Sequence, residues 1–134
     1  MQYLLDTNIC IAIIRKKSTL AAQRLTQQAV ANVGISTVTI AELQLGVYKS
    51  SDPAKNRQAL ELFLVPFPFL DFDYDAAEVY GSIRAYLEAQ GTPIGSFDTL
   101  LAAQALAHNL IMVTNNIREF SRVPQLRIED WTQP

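Results

Sequence analysis

Short apolar runs alternate along the chain with longer segments whose apolar residues recur every three or four positions. The short runs predict β-strands at 2–5, 33–36, 69–72, 110–113 and 126–128. The longer segments predict helices at 9–15, 19–30, 53–64, 75–89 and 97–108, and one more that begins at Thr39. Strands that alternate with helices are typical of a parallel sheet covered on both faces. We therefore expect an α/β fold with three α/β/α layers and a mainly parallel central sheet.

The composition indicates one compact domain over residues 1–134. Of these residues 49% are hydrophobic and 18% are charged, which is enough apolar surface for a core without disulfides or a structural metal. Eleven basic residues against thirteen acidic ones give a net charge of −2. That balance disfavours binding of nucleic acid by bulk electrostatics, but it does not exclude a nuclease whose acids form one small cluster.

The distribution of apolar and basic residues predicts a cytoplasmic protein without contact to a membrane. No apolar run approaches the roughly 18 residues that span a bilayer. The N-terminal residues 1–6 lack the basic segment of a secretory signal. The single cysteine, Cys10, fits a reducing compartment and a small buried side chain.

Polar side chains stand where the predicted strands end. Asp6 follows the first strand, Glu42 lies in the helix after the second, Asp98 begins the helix before the fourth, and Asn116 and Glu119 follow the fourth. Ligands of parallel sheets bind outside the carboxyl ends of the strands, so these side chains can converge there. Oxygen ligands without His or Cys fit Mg²⁺ or Mn²⁺. This cluster would suit phosphodiester hydrolysis by a metal-activated water.

Each of these acids also has a purely structural explanation. Glu42 fits the third helical position of a capping box that starts at Thr39. Asp98 falls in a first helical turn, where it complements the helix dipole, and Asp6 fits a turn in which it binds backbone amides. Spacing alone favours capping over a metal cluster.

Other polar residues give weaker signals. We interpret His108 as structural, near a helix end, and Asp71, Asp73 and Asp75 as a solvated strand edge that leads to a helix cap. Basic residues could bind RNA phosphates, although such clusters are more often a solvated surface. The candidates are Arg15, Lys16, Lys17, Arg118 and Arg122.

A rival hypothesis is a receiver-like or phosphatase-like α/β domain in which Asp6 accepts a phosphoryl group. Those chemistries usually need a lysine after a later strand. No lysine follows Lys55 in this chain, which counts against that hypothesis. Motifs for a phosphate-binding loop, a dinucleotide site and a hydrolase elbow are also absent.

Four segments together resemble the PIN-domain ribonucleases, and specifically the VapC-type toxins of bacterial toxin–antitoxin pairs. They are residues 4–8 (LLDTN), 36–43 (STVTIAEL) with Gly46, 94–103 (IGSFDTLLAA), and 113–120 (VTNNIREF) with the tail through Trp131. No single segment is diagnostic, but four in this order over the whole length are highly specific.

The resemblance implies roles for individual residues. Metal-binding and catalytic acids would be Asp6, Glu42 and Asp98, and orienting groups would be Thr7, Asn8 and Thr114. The chain departs from many PIN domains at Asn116, where a fourth acid is common. Glu119, three residues on, would supply the missing charge. Whether one or two metal ions bind stays open.

The resemblance also implies an activity and partners. The implied activity is that of an Mg²⁺-dependent endoribonuclease, in which Mn²⁺ can substitute. Its implied substrate is tRNA, often initiator tRNA at its anticodon loop, and cleavage would arrest translation. A homodimer is implied, with a VapB-like antitoxin that inserts a basic residue into the acidic site and alone contacts promoter DNA. The alternative that Asn116 suggests is a catalytically weak PIN-like domain that binds RNA or a partner.

Overall fold

A computed structural model describes all residues 1–134. The strands are β1 (Tyr3–Leu5), β2 (Val33–Ser36), β3 (Phe69–Leu70), β4 (Ile111–Val113) and β5 (Ile128–Glu129). The helices are α1 (Thr7–Ile14), α2 (Thr19–Thr26), α3 (Thr37–Lys49), α4 (Pro53–Leu64), α5 (Tyr74–Ala89), α6 (Ser96–Ala107) and α7 (Ile117–Phe120). A short 3₁₀ turn at Val30–Asn32 precedes β2.

The five strands form one parallel sheet in the order β3-β2-β1-β4-β5. Strand β1 is central, and its Leu4 pairs with Gly34 of β2 and with Met112 of β4. Because all strands run the same way, their carboxyl ends lie along one edge of the sheet. The prediction of a mainly parallel sheet is confirmed.

Alternating side chains of the central strands enter two separate cores. Tyr3 and Leu5 of β1 belong to a cluster that includes residues of α1 to α4. Leu4 of β1 and Met112 of β4 belong to a second cluster with residues of α5, α6 and α7. Side chains of one strand point alternately to opposite faces, so the sheet separates two helical layers, as predicted. None of the helices is long and apolar enough to cross a membrane.

The structure corrects several predicted element boundaries. Helix α1 begins at Thr7 rather than at residue 9, because the Asp6 side chain caps it by accepting from the Ile9 amide. Helix α3 begins at Thr37, because the Ser36 hydroxyl accepts from the Val38 amide at 3.0 Å. Glu42 is therefore the sixth residue of α3, and the capping box is wrong.

Other corrections lie at weak local signals. Helix α2 ends at Thr26, four residues before the predicted end. Strand β3 ends at Leu70, and β5 occupies Ile128–Glu129 rather than 126–128. The four-residue helix α7 was not predicted, because so short a segment shows no periodicity. These shifts leave the strand order and the polar edge unchanged.

Candidate active site

Asp6 lies at the carboxyl end of the central strand and is held on both carboxylate oxygens. Its Oδ1 accepts from the Ile9 amide at 2.8 Å, and its Oδ2 accepts from the Thr114 hydroxyl at 2.5 Å. The Asp6 amide continues the pairing of β1 with β4 by donating to the Val113 carbonyl at 2.9 Å. With 2% of its surface exposed, this carboxylate has a fixed position at the sheet edge.

Thr114 connects Asp6 to the segment after β4. Its hydroxyl donates to Asp6 and accepts from the Asn116 amide at 2.9 Å. The Asn116 side-chain amide in turn donates to Glu119 Oε2 at 3.2 Å. Thr114 therefore orients Asp6, whereas Asn116 orients Glu119 with its nitrogen and keeps its amide oxygen free of any hydrogen bond within the chain.

A second threonine, Thr7, orients Glu42. The Thr7 hydroxyl donates to Glu42 Oε1 at 2.6 Å and lies 3.3 Å from the hydroxyl of Thr39, which is fully buried. Thr7 is the first residue of α1, and Glu42 is on α3. This contact brings Glu42, from a different helix, to the residue next to Asp6.

Asp98 stands in the first turn of α6 and is half-buried. The N-cap of this helix is Gly95, which makes no side-chain hydrogen bond, and the helix begins at Ser96 rather than at residue 97. Thr99 secures this turn by donating its hydroxyl to the Gly95 carbonyl at 2.8 Å. The Asp98 carboxylate accepts no hydrogen bond from the chain and is open to a ligand.

The pKa values of two acids indicate that the carboxylates lie near enough to repel one another. Burial raises the pKa of Asp6 to about 6, against hydrogen bonds from Thr114 and Ile9 that lower it, and the charges of Asp98 and Glu42 raise it further. Burial raises the pKa of Asp98 to about 6 as well, with added repulsion from Glu119 and then Glu42. Four acids from distant parts of the chain thus share one electrostatic site.

None of these four acids is paired with a cation of the protein. The two ion pairs in the chain are Arg84 with Glu88 on α5, and His108 with Asp73. Asp73 caps α5 by accepting from the Ala76 amide at 2.9 Å, as the acidic run predicted. Its partner His108 is the C-cap of α6, whereas Asp98 lies in the first turn at the other end of that helix.

The predicted residues differ in how closely they approach one another. The structure brings together Asp6, Glu42, Asp98, Glu119, Thr7, Thr114 and Asn116. Asn8 is exposed in the first turn of α1 and makes no side-chain hydrogen bond, so no contact supports an orienting role for it. No three His, Cys, Asp or Glu side chains lie close enough together to enclose an ion by themselves.

Two polar residues near the site, Ser36 and Gln104, were not predicted from the sequence. The Ser36 hydroxyl donates to Gln104 Oε1, and Gln104 Nε2 donates to the Leu70 carbonyl at 3.2 Å. Both side chains are fully buried. The one available signal was an amide among the alanines of an otherwise apolar helix.

The basic residues considered for phosphate binding follow α1 or lie in and just after α7. Arg15 lines a groove between α1, α3 and α4, with Glu42 at its margin and an apolar floor that includes Leu43 and Leu60. Arg122 donates to the Pro93 carbonyl at 3.1 Å and so fastens the loop that leads to α6. The other three, Lys16, Lys17 and Arg118, are exposed.

Comparison with known proteins identifies the family. A family model of the PIN domain matches residues 3–126. The tRNA(fMet)-specific endonuclease VapC of Shigella flexneri is 43% identical over 132 residues, which are 98% of this chain and 99% of the relative. The protein of the same name from Salmonella typhimurium is 40% identical over 131 residues, 98% of each chain. The chain belongs to the VapC family of PIN-domain proteins.

The fold of this VapC-family chain also matches solved structures. In the crystal structure of VapBC2 from Rickettsia felis bound to a DNA fragment from its promoter, one chain superposes with a TM-score of 0.92 at 41% identity. The match covers 98% of this chain and 99% of that one. The four segments that predicted the family supply one carboxylate each to the site, and the recognition of a VapC-type PIN-domain ribonuclease is confirmed.

Proposed function

We propose that this protein is the toxin of a toxin–antitoxin pair, an endoribonuclease that hydrolyses RNA phosphodiester bonds with a divalent metal ion, Mg²⁺ or Mn²⁺. One observation carries the proposal: Asp6, Glu42, Asp98 and Glu119 repel one another at the carboxyl edge of the sheet without a cation of the protein to balance them. The family relationship supplies the activity, because the relatives are named as ribonucleases.

The donor set suits a hard divalent cation. All candidate ligands are oxygens, and no His or Cys lies among them, which fits Mg²⁺ or Mn²⁺ better than Zn²⁺. Mg²⁺ typically takes only one or two carboxylates directly and completes its shell with water and substrate oxygens. A site in which no three acids enclose an ion by themselves agrees with that preference.

Asp6 and Asp98 are the first candidates to hold the metal, with Glu42 next and Glu119 and Asn116 after them. When bound, the ion would lower the pKa of a water molecule and stabilise charge on the phosphate. Thr114 and Thr7 keep carboxylate oxygens in place by hydrogen bonding. In the hydrolysis the oxygen of a water molecule bonds to phosphorus and the ester bond breaks. The acids of the site favour the loss of a proton from that water, and a proton passes to the leaving oxygen.

A tRNA is the proposed substrate, and initiator tRNA in particular. Two relatives at 40% and 43% identity are named for tRNA(fMet). Cutting the anticodon loop of that tRNA would stop translation at initiation. The net charge of −2 implies that recognition depends on the shape of the RNA and on a few local contacts rather than on a basic surface.

The proposed partner is a VapB-like antitoxin that neutralises the toxin and links it to promoter DNA. A chain with the same fold at 41% identity occurs in a VapBC2 complex with promoter DNA. A basic antitoxin side chain that enters the acidic site would satisfy the same charges as the metal. We further propose a homodimer in the cytoplasm.

The second candidate function is a weak or inactive PIN-like domain that binds RNA or a partner. It rests on Asn116, because a carboxylate at this position would bind a metal more strongly than an amide. The side-chain nitrogen of Asn116 donates to Glu119 at 3.2 Å. The phosphoryl-acceptor hypothesis has less support. Both oxygens of Asp6 already accept hydrogen bonds, and no lysine follows residue 55 to neutralise a phosphoryl group.

The deciding experiment is cleavage of total bacterial RNA by the purified, antitoxin-free protein. Reactions contain Mg²⁺, Mn²⁺ or EDTA, the Asp98→Asn variant runs beside the wild type, and new 5′ ends are mapped by sequencing. We expect discrete cuts in a tRNA that need both the metal and Asp98. A folded protein that cuts nothing with either metal would overturn the enzyme in favour of the binding domain.

A further inference from the structure

Gln104 is a fully buried amide in the middle of α6, the helix that carries Asp98. Its neighbours Ala102, Ala103 and Ala105 are buried and apolar. A buried amide destabilises a core unless its donors and acceptors are bonded, and an apolar side chain of similar volume would avoid that cost. The position therefore calls for an explanation beyond packing.

The amide of Gln104 binds two different strand ends. Its oxygen accepts from the hydroxyl of Ser36, the last residue of β2, and its nitrogen donates at 3.2 Å to the carbonyl of Leu70, the last residue of β3. Ser36 also caps α3, because its hydroxyl oxygen accepts from the Val38 amide. Gln104 thus connects α6 both to the sheet edge and to the start of α3.

The two helices joined by Ser36 and Gln104 carry two of the proposed metal ligands. Asp98 lies six residues before Gln104 on α6, and Glu42 lies six residues after Ser36 on α3. At 1.5 Å per residue, each carboxylate is about 9 Å along its helix from this contact. A change in how the helices meet there would alter the separation of Asp98 and Glu42.

We propose that Gln104 is a positioning residue of the active site, which sets the separation of Asp98 and Glu42 by fixing α6 against Ser36 and Leu70. This inference rests on the proposed function, because it concerns the same metal site. Gln104 touches neither metal nor substrate, so its effect on catalysis is indirect. It differs from Thr7 and Thr114 in that it orients whole helices rather than single carboxylates.

The test uses the full chain with three variants and one control. Gln104→Met keeps the length of the side chain and removes both hydrogen bonds, Ser36→Ala removes the hydroxyl, and the third variant combines them. Ile83→Val on α5 is the control. It removes a methyl group from the core cluster that contains Ala102, Ala103 and Ala105, and it has no polar contact to the site. Mn²⁺ affinity is measured by calorimetry, kcat and KM are measured on the mapped RNA, and folding is checked by thermal unfolding.

We expect Gln104→Met to weaken Mn²⁺ binding and to lower kcat by about ten- to a hundredfold, because small misplacements of catalytic groups have effects of that size. KM should change little, since Gln104 is buried away from RNA. The loss in the double variant should be smaller than the two single losses combined, because both changes break the same Ser36–Gln104 hydrogen bond. Ile83→Val should lose thermal stability alone.

Two results would overturn the inference while leaving the proposed function intact. One is a folded Gln104→Met protein with wild-type Mn²⁺ affinity and kcat. The other is full additivity in the double variant, which would mean that Ser36 acts only as the cap of α3. If Gln104→Met fails to fold, wild-type Mn²⁺ affinity and kcat in Ser36→Ala, which breaks the same hydrogen bond, would overturn the inference equally. A wild type that neither binds Mn²⁺ nor cuts RNA would instead refute the proposed function, and the inference with it.

Discussion

Asp6 and Asp98 have pKa values raised to about the same level, near 6, but the chain holds them differently. Asp6 is 2% exposed and accepts two hydrogen bonds. Asp98 is half-buried and accepts none, and its pKa is raised by burial and then by the charges of Glu119 and Glu42. Folding therefore fixes the position of Asp6, whereas Asp98 keeps freedom that a bound ion can restrict.

This difference separates two contributions to a metal site. A ligand fixed before binding loses little side-chain entropy when the ion arrives, so Asp6 provides a reference point. An acid held near other acids without hydrogen bonds stores repulsion that an ion relieves, so Asp98 provides driving force. The two aspartates should therefore respond differently to changes in their neighbours.

The largest expected effect comes from removing either charge. Asp6→Asn and Asp98→Asn should each lower RNA cleavage by more than about a hundredfold, since loss of a ligand should exceed the 10–100-fold typical of outer groups. Both variants should stay folded, because asparagine keeps the shape and can still cap α1 at position 6. Cleavage rates and circular dichroism on the same preparations measure this. Retained cleavage in either variant would remove that residue from the site.

A smaller effect should separate the two aspartates. Thr114→Val removes the hydroxyl that donates to Asp6 and accepts from the Asn116 amide, and we expect a 10–100-fold loss of cleavage, typical of groups that orient a ligand. Thr114→Ser keeps the hydroxyl and should recover most of the activity. Rates over a range of Mg²⁺ concentration distinguish weaker metal binding from a slower chemical step.

The matched comparison is Thr99→Val, which removes the hydroxyl bound to the Gly95 carbonyl next to Asp98. This hydroxyl does not touch a carboxylate, so the variant should cut RNA within about threefold of the wild type, below the 10–100-fold loss typical of groups that orient a ligand. Equal losses at Thr99 and Thr114 would contradict the conclusion that only Asp6 is held by its neighbours.

The sequence predicted the fold well and located the acids along the chain, for local reasons. Short apolar strands that alternate with helices admit few topologies, and polar residues that follow parallel strands meet at one edge. The positions of Asp6 after β1 and Asp98 in the first turn of α6 needed no knowledge of distant contacts. The order of the four family motifs then indicated the activity. Spacing alone had favoured a capping role for the acids over a metal cluster.

What could not be predicted depends on contacts between residues far apart in the chain. Both Ser36 and Thr39 are good helix caps, and only the structure shows that Ser36 is used, which moves Glu42 to the sixth position of α3. Gln104 looks like an isolated polar residue until its partners Ser36 and Leu70, 68 and 34 residues away, are beside it. No local pattern carries that information.

The smallest expected effect is on stability and concerns the raised pKa of Asp98, which burial causes first and the charges of Glu119 and Glu42 second. A carboxyl whose pKa rises from 3.8 to about 6 on folding binds its proton more tightly in the folded state. Stability from this group is therefore present at pH below about 4 and lost as pH rises through 6. Without metal, we expect the melting temperature to fall by a few degrees between pH 5 and pH 7.5, beyond the trend of the Asp98→Asn variant.

A divalent ion should reverse this loss, because it replaces the proton as the partner of the carboxylates. Melting curves in EDTA and in Mn²⁺ at both pH values, for the wild type and Asp98→Asn, separate the two effects. The stabilisation by Mn²⁺ should be larger at pH 7.5 than at pH 5 in the wild type and weak at both in the variant. Equal pH trends for the two proteins in EDTA would show that folding does not raise the pKa of Asp98, and the contrast with Asp6 would then reduce to hydrogen bonding alone.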